Sequence, residues 1–272
     1  MINRHMLKFT KYPTTMKIFA IPMRWGFGDN YCYVLMDGLS KEASIIDPAY
    51  PKDVLPMLKQ LETTENMHLT SITNTHHHYD HSDGNPLFHE LYPSIPIYAG
   101  KDSPLVSETP ADGSTHKIGK NIEVTAVHTP CHTQDSICWF ARDLVSGESA
   151  VFTGDTLFNC GCGRFFEGDA NQMQAAFAKL AKLPADTKVY PGHEYTKSNV
   201  KFAITVDPYN ESLKNLGQYC EANEKTTGIF TLKDELSYNP FMRTDDKELQ
   251  KRLGTLSAVS TMAKLRQLKD KF

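Results

Sequence analysis

Thr75-His-His-His-Tyr-Asp-His-Ser-Asp83 is the stretch on which the fold turns. It contains His76-x-His78-x-Asp80-His81, four metal-ligating side chains within six residues. Imidazole and carboxylate suit Zn, Fe or Mn. The alternation of His76, His78 and Asp80 requires an extended or looped backbone, from which His81 points elsewhere, so the run divides between two neighbouring ions. A pair of close metals is a hydrolytic device more often than a structural staple. An affinity tag or a solvated His loop is the plain alternative, but the run is internal and Tyr79 and Asp80 interrupt it. The preceding His68-Leu-Thr-Ser-Ile-Thr-Asn74 is rich in β-branched residues and reads as a strand. The ligands therefore sit just past a strand end, where layered α/β scaffolds carry their chemistry.

Outward from this run, short apolar strands alternate with polar turns from residue 16 to about 195. Asn30–Met36 and Ala43–Asp47 read as a hairpin around Asp37-Gly38. Strands are also expected at Met16–Ile21, Ile95–Ala99, Ile122–Thr129, Ser136–Phe140, Ala150–Phe152 and Lys188–Tyr190. Val54–Leu61 and Pro86–Tyr92 have helical spacing, and Asn171–Leu183 is amphipathic, with Met173, Ala176, Phe177 and Leu180 on one face. Past Tyr195 helical periodicity takes over, at Ser198–Val206, Glu211–Asn223 and Val259–Lys271. The expectation is an α/β layered domain over 16–195 and a smaller helical domain over 196–272.

Two metals need more ligands than one loop provides, and three candidates follow later strands. His132 lies in Thr129-Pro-Cys-His-Thr133, Asp155 in Phe152-Thr-Gly-Asp-Thr156, and His193 in Pro191-Gly-His193. Each alone reads as an ordinary turn residue; together they share one placement and complete the count.

This ordered set resembles the metallo-β-lactamase superfamily. Thr75–His81, Phe152-Thr-Gly-Asp-Thr-Leu-Phe158, Gly161-Cys-Gly-Arg-Phe-Phe-Glu-Gly168, Pro191-Gly-His-Glu-Tyr-Thr196 and Asn239-Pro-Phe-Met-Arg243 resemble, more narrowly, the glyoxalase II family of hydroxyacylglutathione hydrolases. The resemblance runs from about Met16 to Phe272. It implies an αββα sandwich followed by a helical domain. His76, His78 and His132 would hold one divalent ion and Asp80, His81 and His193 the other, with Asp155 bridging; Zn is expected, Fe or Mn being compatible. Asp80 and Asp155 would serve catalysis, and Asp47, in an Ile-Asp-Pro motif, would support the site. The implied reaction is hydrolysis of S-D-lactoylglutathione to glutathione and D-lactate by a hydroxide bound at the binuclear centre. A thiolate leaves without strong acid assistance, since its pKa is about 8.5. Cys131, beside His132, is the covalent suspect set aside in favour of direct attack.

An anionic tripeptide calls for cations. The resemblance points to Arg164, Phe165 and Phe166, where many members have Lys-Phe-Tyr, to His193, Glu194 and Tyr195, and to Arg266 and Lys269. Without it, Arg266-x-x-Lys269 reads as a basic helix end favourable to the macrodipole. Phe166 lacks the hydroxyl of the common Tyr, so glutathione binding is expected to be weaker or rearranged.

Composition narrows the rivals. The chain carries −3 overall, but residues 1–28 hold five cations and no acid, which leaves −8 for the rest. A nuclease of the same superfamily would need a basic path for phosphates, so no nucleic-acid partner is expected. A single-iron persulfide dioxygenase would need no second ligand set, and purely structural zinc would be closed at four ligands. No apolar run is long enough to span a membrane. The basic residues 1–15 are read as an extension, with a mitochondrial address as one reading and a cytoplasmic protein, for which Met16 offers an alternative start, as the other. The six cysteines fit reduced thiols rather than a disulfide scaffold. A monomer is expected.

Overall fold

β2 (Asn30–Asp37) sets the layering. All eight of its residues are buried. They alternate sides: Tyr31, Tyr33 and Leu35 enter one apolar cluster, Cys32, Val34 and Met36 another. A strand buried on both faces must be covered on both. In the computed structural model, which describes residues 14–272, the first cover is a second sheet and the second is helical.

The first sheet runs β1 (Met16–Met23), β2, β3 (Glu42–Ile46), β4 (His68–Thr73), β5 (Ile97–Tyr98). β1 to β3 pair antiparallel, β3 to β5 parallel. The second runs β12 (Lys188–Pro191), β9 (Ser149–Gly154), β8 (Ile137–Asp143), β7 (Ile122–His128), β6 (Thr115–Ile118). Here β12 joins β9 in parallel and the remaining pairs are antiparallel. Between the sheets Tyr31, Tyr33 and Ile46 meet Val124, Trp139 and Phe152. Outside them, α1 (Pro51–Thr64) and α3 (Asn85–Leu91) lay Val54, Leu58, Leu61 and Phe88 on the first sheet. α4 (Ala170–Leu180) lays Met173, Ala176, Phe177 and Leu180, the face legible in the sequence, on the second. This is the expected αββα sandwich.

A short hairpin, β10 (Leu157–Phe158) and β11 (Gly161–Cys162), leads from the second sheet toward the helical region. That region comprises α5 (Thr196–Val206), α6 (Glu211–Ala222), α7 (Leu232–Tyr238), α8 (Lys247–Leu253) and α9 (Ala258–Asp270). It has a small core of its own around Val200, Leu213, Leu216 and Tyr238. Phe202, Phe241, Met262 and Leu265 instead join the cluster beneath α4. Each such side chain contributes about 1.5–3 kcal/mol by burial, so the helices are fastened to the flank of the sandwich.

Two expectations change. Asp80 does not share the extended or looped backbone expected for it with His76 and His78; with His81 it occupies the single turn of α2 (Tyr79–Ser82), which follows the loop carrying those two histidines. The turn is pinned by Ser82 Oγ, which donates to the carbonyls of His77 and His78 at 2.8 and 3.1 Å. β6, β10, β11, α7 and α8 had no counterpart in the sequence reading. Of the proposed extension, residues 1–13 lie outside the described residues. Thr14 and Thr15 donate to the Asp143 carboxylate.

Candidate metal centre

β4, β7, β9 and β12 deliver the candidate ligands to one edge of the sandwich. The loop and turn after β4 carry His76, His78, Asp80 and His81; the segments after β7, β9 and β12 carry His132, Asp155 and His193. Two triads result, His76/His78/His132 and Asp80/His81/His193. In the first, His78 Nδ1 lies 3.1 Å from both His76 Nε2 and His132 Nε2. In the second, His81 Nε2 lies 3.3 Å from His193 Nε2, and Asp80 Oδ2 lies 3.6 Å from His193 Nε2. Ligands ~2.0–2.1 Å from one tetrahedral ion stand roughly 3.3 Å apart, so these spacings fit an ion in each triad.

Asp155 joins the two. Its Oδ1 is 3.3 and 3.4 Å from Nε2 of His81 and His193, and its Oδ2 is 3.5 Å from Nε2 of His132. Oδ1 is buried without a hydrogen-bond partner among the described residues. A buried carboxylate oxygen facing several imidazole nitrogens suits a cation held between them, since buried charges are paired or coordinate metals. Gly192 makes the approach possible: a Cβ there would stand 2.6 Å from Asp155 Oδ1. Gly154, at φ +47, turns the chain out of β9 against Thr75.

The other ring nitrogens are held from outside. His81 Nδ1 meets Asp47 Oδ2 at 2.9 Å, and His76 Nδ1 meets Thr75 Oγ1 at 3.1 Å. Thr75 Oγ1 in turn donates to Asp47 Oδ2 at 2.6 Å. His132 Nδ1 and His193 Nδ1 donate to the carbonyls of Arg164 and Gly28 at 2.9 and 2.8 Å. With Nδ1 as donor, each Nε2 presents its lone pair inward. His78 is the exception and turns Nδ1 inward. Asn30 Nδ2 donates to Asp80 O and Oδ2 at 3.1 and 3.2 Å. Nothing in the sequence marked Asn30, because its role depends on β2 lying beside α2.

Burial pushes the His76, His78 and His132 imidazoles below their usual pKa, which keeps them neutral as ligands must be. At His81 burial also opposes charge, but Asp155 and Asp47 outweigh it and raise the pKa. Asp155 is held well below the usual carboxylate range: burial works against its charge, while His193 and His81 prevail.

His78, Asp80, His132, Asp155 and His193 line a cavity of about 950 Å³ whose far wall belongs to the helical region. Tyr195 stacks on His193 at 4.6 Å between ring centroids. Phe166, exposed, sets its ring edge-on to His78 and His132 at 5.6 and 5.2 Å. Arg164, Arg266 and Lys269 also line the cavity. They differ in freedom. The Arg164 side chain is exposed, 3.7 Å from Asp270. Arg266 is buried, donating to Cys162 O at 2.8 Å and pairing with Asp270 at 2.9 Å, so it is not a solvated helix end. Lys269 Nζ donates to Ser198 O at 3.2 Å.

Two residues named from the sequence are not brought to the cavity. Glu194 spends its carboxylate on Tyr31, Thr196 and Thr226. Phe165 packs against the core beneath α4. Ser198 and Asn199, at the start of α5, line the wall without having been singled out. Cys131 is buried with its thiol pushed up to about 12 by that burial, which leaves it un-ionised and removes it as a nucleophile.

Comparison with known proteins agrees with this geometry. Residues 25–193 match the family model described as metallo-beta-lactamase superfamily, and residues 194–272 match hydroxyacylglutathione hydrolase C-terminus. The chain is 47% identical over 254 residues to the probable hydroxyacylglutathione hydrolase glo2 of Schizosaccharomyces pombe, covering 93% of this chain and 98% of that protein. It is 42% identical over 277 residues to the cytoplasmic isozyme of hydroxyacylglutathione hydrolase from Saccharomyces cerevisiae, covering 94% and 100%. Among solved structures, ETHE1 from Myxococcus xanthus shares the fold, with a TM-score of 0.63 at 22% identity over 93% of this chain and 100% of that one.

Proposed function

Because the chain belongs to the glyoxalase II family of hydroxyacylglutathione hydrolases, within the metallo-β-lactamase superfamily, we propose that it hydrolyses S-(2-hydroxyacyl)glutathione, with S-D-lactoylglutathione as substrate and glutathione and D-lactate as products. The observation that carries this reading is Asp155, one carboxylate spanning two complete triads at the floor of a cavity with a cationic wall. Two divalent ions, zinc in the first instance, would be held by His76, His78 and His132 and by Asp80, His81 and His193, with Asp155 between. When bound, such a pair lowers the pKa of a shared water toward neutrality and polarises a carbonyl oxygen.

The chain's own residues supply the rest. Asp155 and Asp80 compensate positive charge at the centre, and Asp80 is aimed by Asn30. Phe166 and Tyr195 flank the centre and exclude water from one side of the thioester. Arg164 and Lys269 meet the carboxylates of the tripeptide. Arg266 fixes the Cys162 carbonyl and adds its charge to the same wall. No acid is required at the leaving sulfur, because a thiolate departs unaided near neutral pH. All seven candidate ligands lie on one chain, so this reading calls for no ligand from a second copy.

The test compares S-D-lactoylglutathione with the same acyl group on a small neutral thiol, following loss of thioester ultraviolet absorbance. Faster kcat/KM for the glutathione ester is expected. Equal values for the two esters would remove glutathione from the reading. A single-iron dioxygenase is disfavoured by the second complete triad.

A further inference from the structure

His77, at the centre of the 76–81 run, joins neither triad. It meets different carboxylates: His77, Asp102 and Asp135 each bring a ligand atom within 4.8 Å of the others. His77 Nδ1 lies 2.8 Å from Asp135 Oδ1, and Thr133 Oγ1 donates to the same oxygen at 2.7 Å. Asp135 Oδ2 has no hydrogen-bond partner among the described residues, although the side chain is fully buried. This orphaned oxygen faces the turn that carries Asp102: a Cβ on Gly100 would stand 2.7 Å from it. Ser103 Oγ, in the same turn, is likewise buried without a partner. Asp102 itself is exposed. On the other side of the imidazole, Nε2 lies 3.6 Å from Glu167 Oε1.

Buried charged groups are paired or coordinate metals. Here the geometry leaves a carboxylate oxygen, a second carboxylate and a ring nitrogen converging with one oxygen unspoken for. We propose that His77, Asp102 and Asp135 form a third divalent-cation site, separate from the two triads and open to solvent through Asp102. An ion there takes the Nδ1 lone pair in place of the hydrogen bond to Asp135. The Nε2 proton then faces Glu167, the arrangement in which a carboxylate orients a ligating imidazole. One imidazole and two carboxylates without a thiolate suit Zn, Mn or Fe(II). With three protein ligands and an exposed side completed by water, this site is weaker and more exchangeable than the bridged pair.

The probe is zinc added back to the full-length, chelator-stripped protein at rising free concentration, with ions per chain and thioester turnover read on the same samples. The wild type is expected to fill two positions first, with the rise in turnover, and then a third without further change in turnover. Asp102→Asn, at an exposed position, is expected to keep the first two ions and full turnover and to raise the third ion's Kd by roughly 10-fold or more, the scale of disturbing a ligand set. Asp135→Asn should do the same. Saturation of the wild type at two ions overturns the proposal. Unchanged affinity for a third ion in Asp102→Asn overturns it too. Neither result touches the hydrolytic reading, which stands or falls on the first two ions and on turnover.

Discussion

Asp47 contacts no candidate ion position, yet it holds the Nδ1 side of His81 and, through Thr75, that of His76. Its replacement by Asn keeps the size and removes the charge. Loss of such an outer partner costs about 10- to 100-fold in metal affinity or activity. Asp47→Asn is therefore expected to weaken zinc by that margin in a chelator competition, with the fold retained by circular dichroism. Phe166 carries a prediction of opposite sign. Phe166→Tyr restores a hydroxyl beside the cavity, and a hydrogen bond is worth about 0.5–1.5 kcal/mol. KM for the glutathione thioester is expected to fall roughly 2- to 10-fold with kcat little changed; an unchanged KM would place that hydroxyl out of reach of substrate. At this scale the seven candidate ligands were legible as a set, because residue type and placement after strands both pointed to them. Glu194 and Phe165 were not: a turn's sequence does not say which of its side chains face the cavity. Asn30 and Thr75 act through neighbours far away in sequence, which no local pattern records.

Helix α9 brings the cationic wall to the edge that carries the candidate ligands. Its Arg266 is committed to Cys162 and Asp270, whereas Lys269 reaches Ser198 and stands over the rings of Phe202 and Phe272 at 5.4 and 5.3 Å. A charge-assisted contact to substrate is worth about 1.5–3 kcal/mol. Lys269→Ala is expected to raise KM by roughly 10-fold or more while leaving kcat near the wild-type value, the pattern of lost uniform binding. Helix α7 offers a pH test. Glu235 is buried, and burial pushes its carboxyl up from the usual value to about 7, against the hydrogen bonds from Cys160 N, Tyr238 and Asn239. With the folded pKa above the unfolded one, the native state binds more protons in the window between them. Wild-type stability therefore falls as pH rises from about 4.5 to 7. Glu235→Gln lacks this titration, so denaturant unfolding should show the wild type losing up to about 3 kcal/mol relative to the variant across that window, at 1.36 kcal/mol per pH unit. A parallel pH dependence in the two proteins would contradict it. The elements that escaped the sequence reading have physical reasons. β6 is an edge strand, Thr-His-Lys-Ile, with only Ile118 buried, so it has no apolar alternation. α7 and α8 are seven residues each, too short for periodicity; their signals were caps, Thr231 with Asp234 and Asp246 with Glu248 and Leu249.

At the scale of the whole molecule, charge and architecture divide the labour. The residues after the basic start carry a net −8, yet the wall facing the metal triads collects Arg164, Arg266 and Lys269. This is the cleft that would take the anionic glutathione moiety of the proposed substrate. Among the described residues no helix is long and apolar enough to cross a membrane. The αββα sandwich was expected from the family resemblance, whereas the layered α/β scaffold was legible in the residues themselves, where β2 and α4 have clear apolar patterns. That the helical region shares the core beneath α4 was not, since its apolar residues read the same whether they pack on each other or on the sheet. A hydrolase built on two bridged ions is checked by titrating zinc into the stripped protein while recording turnover of S-D-lactoylglutathione. Turnover is expected to rise with occupancy of the two tight positions and to reach its plateau when both are filled. Full turnover with one ion per chain, or none with both positions filled, would contradict it.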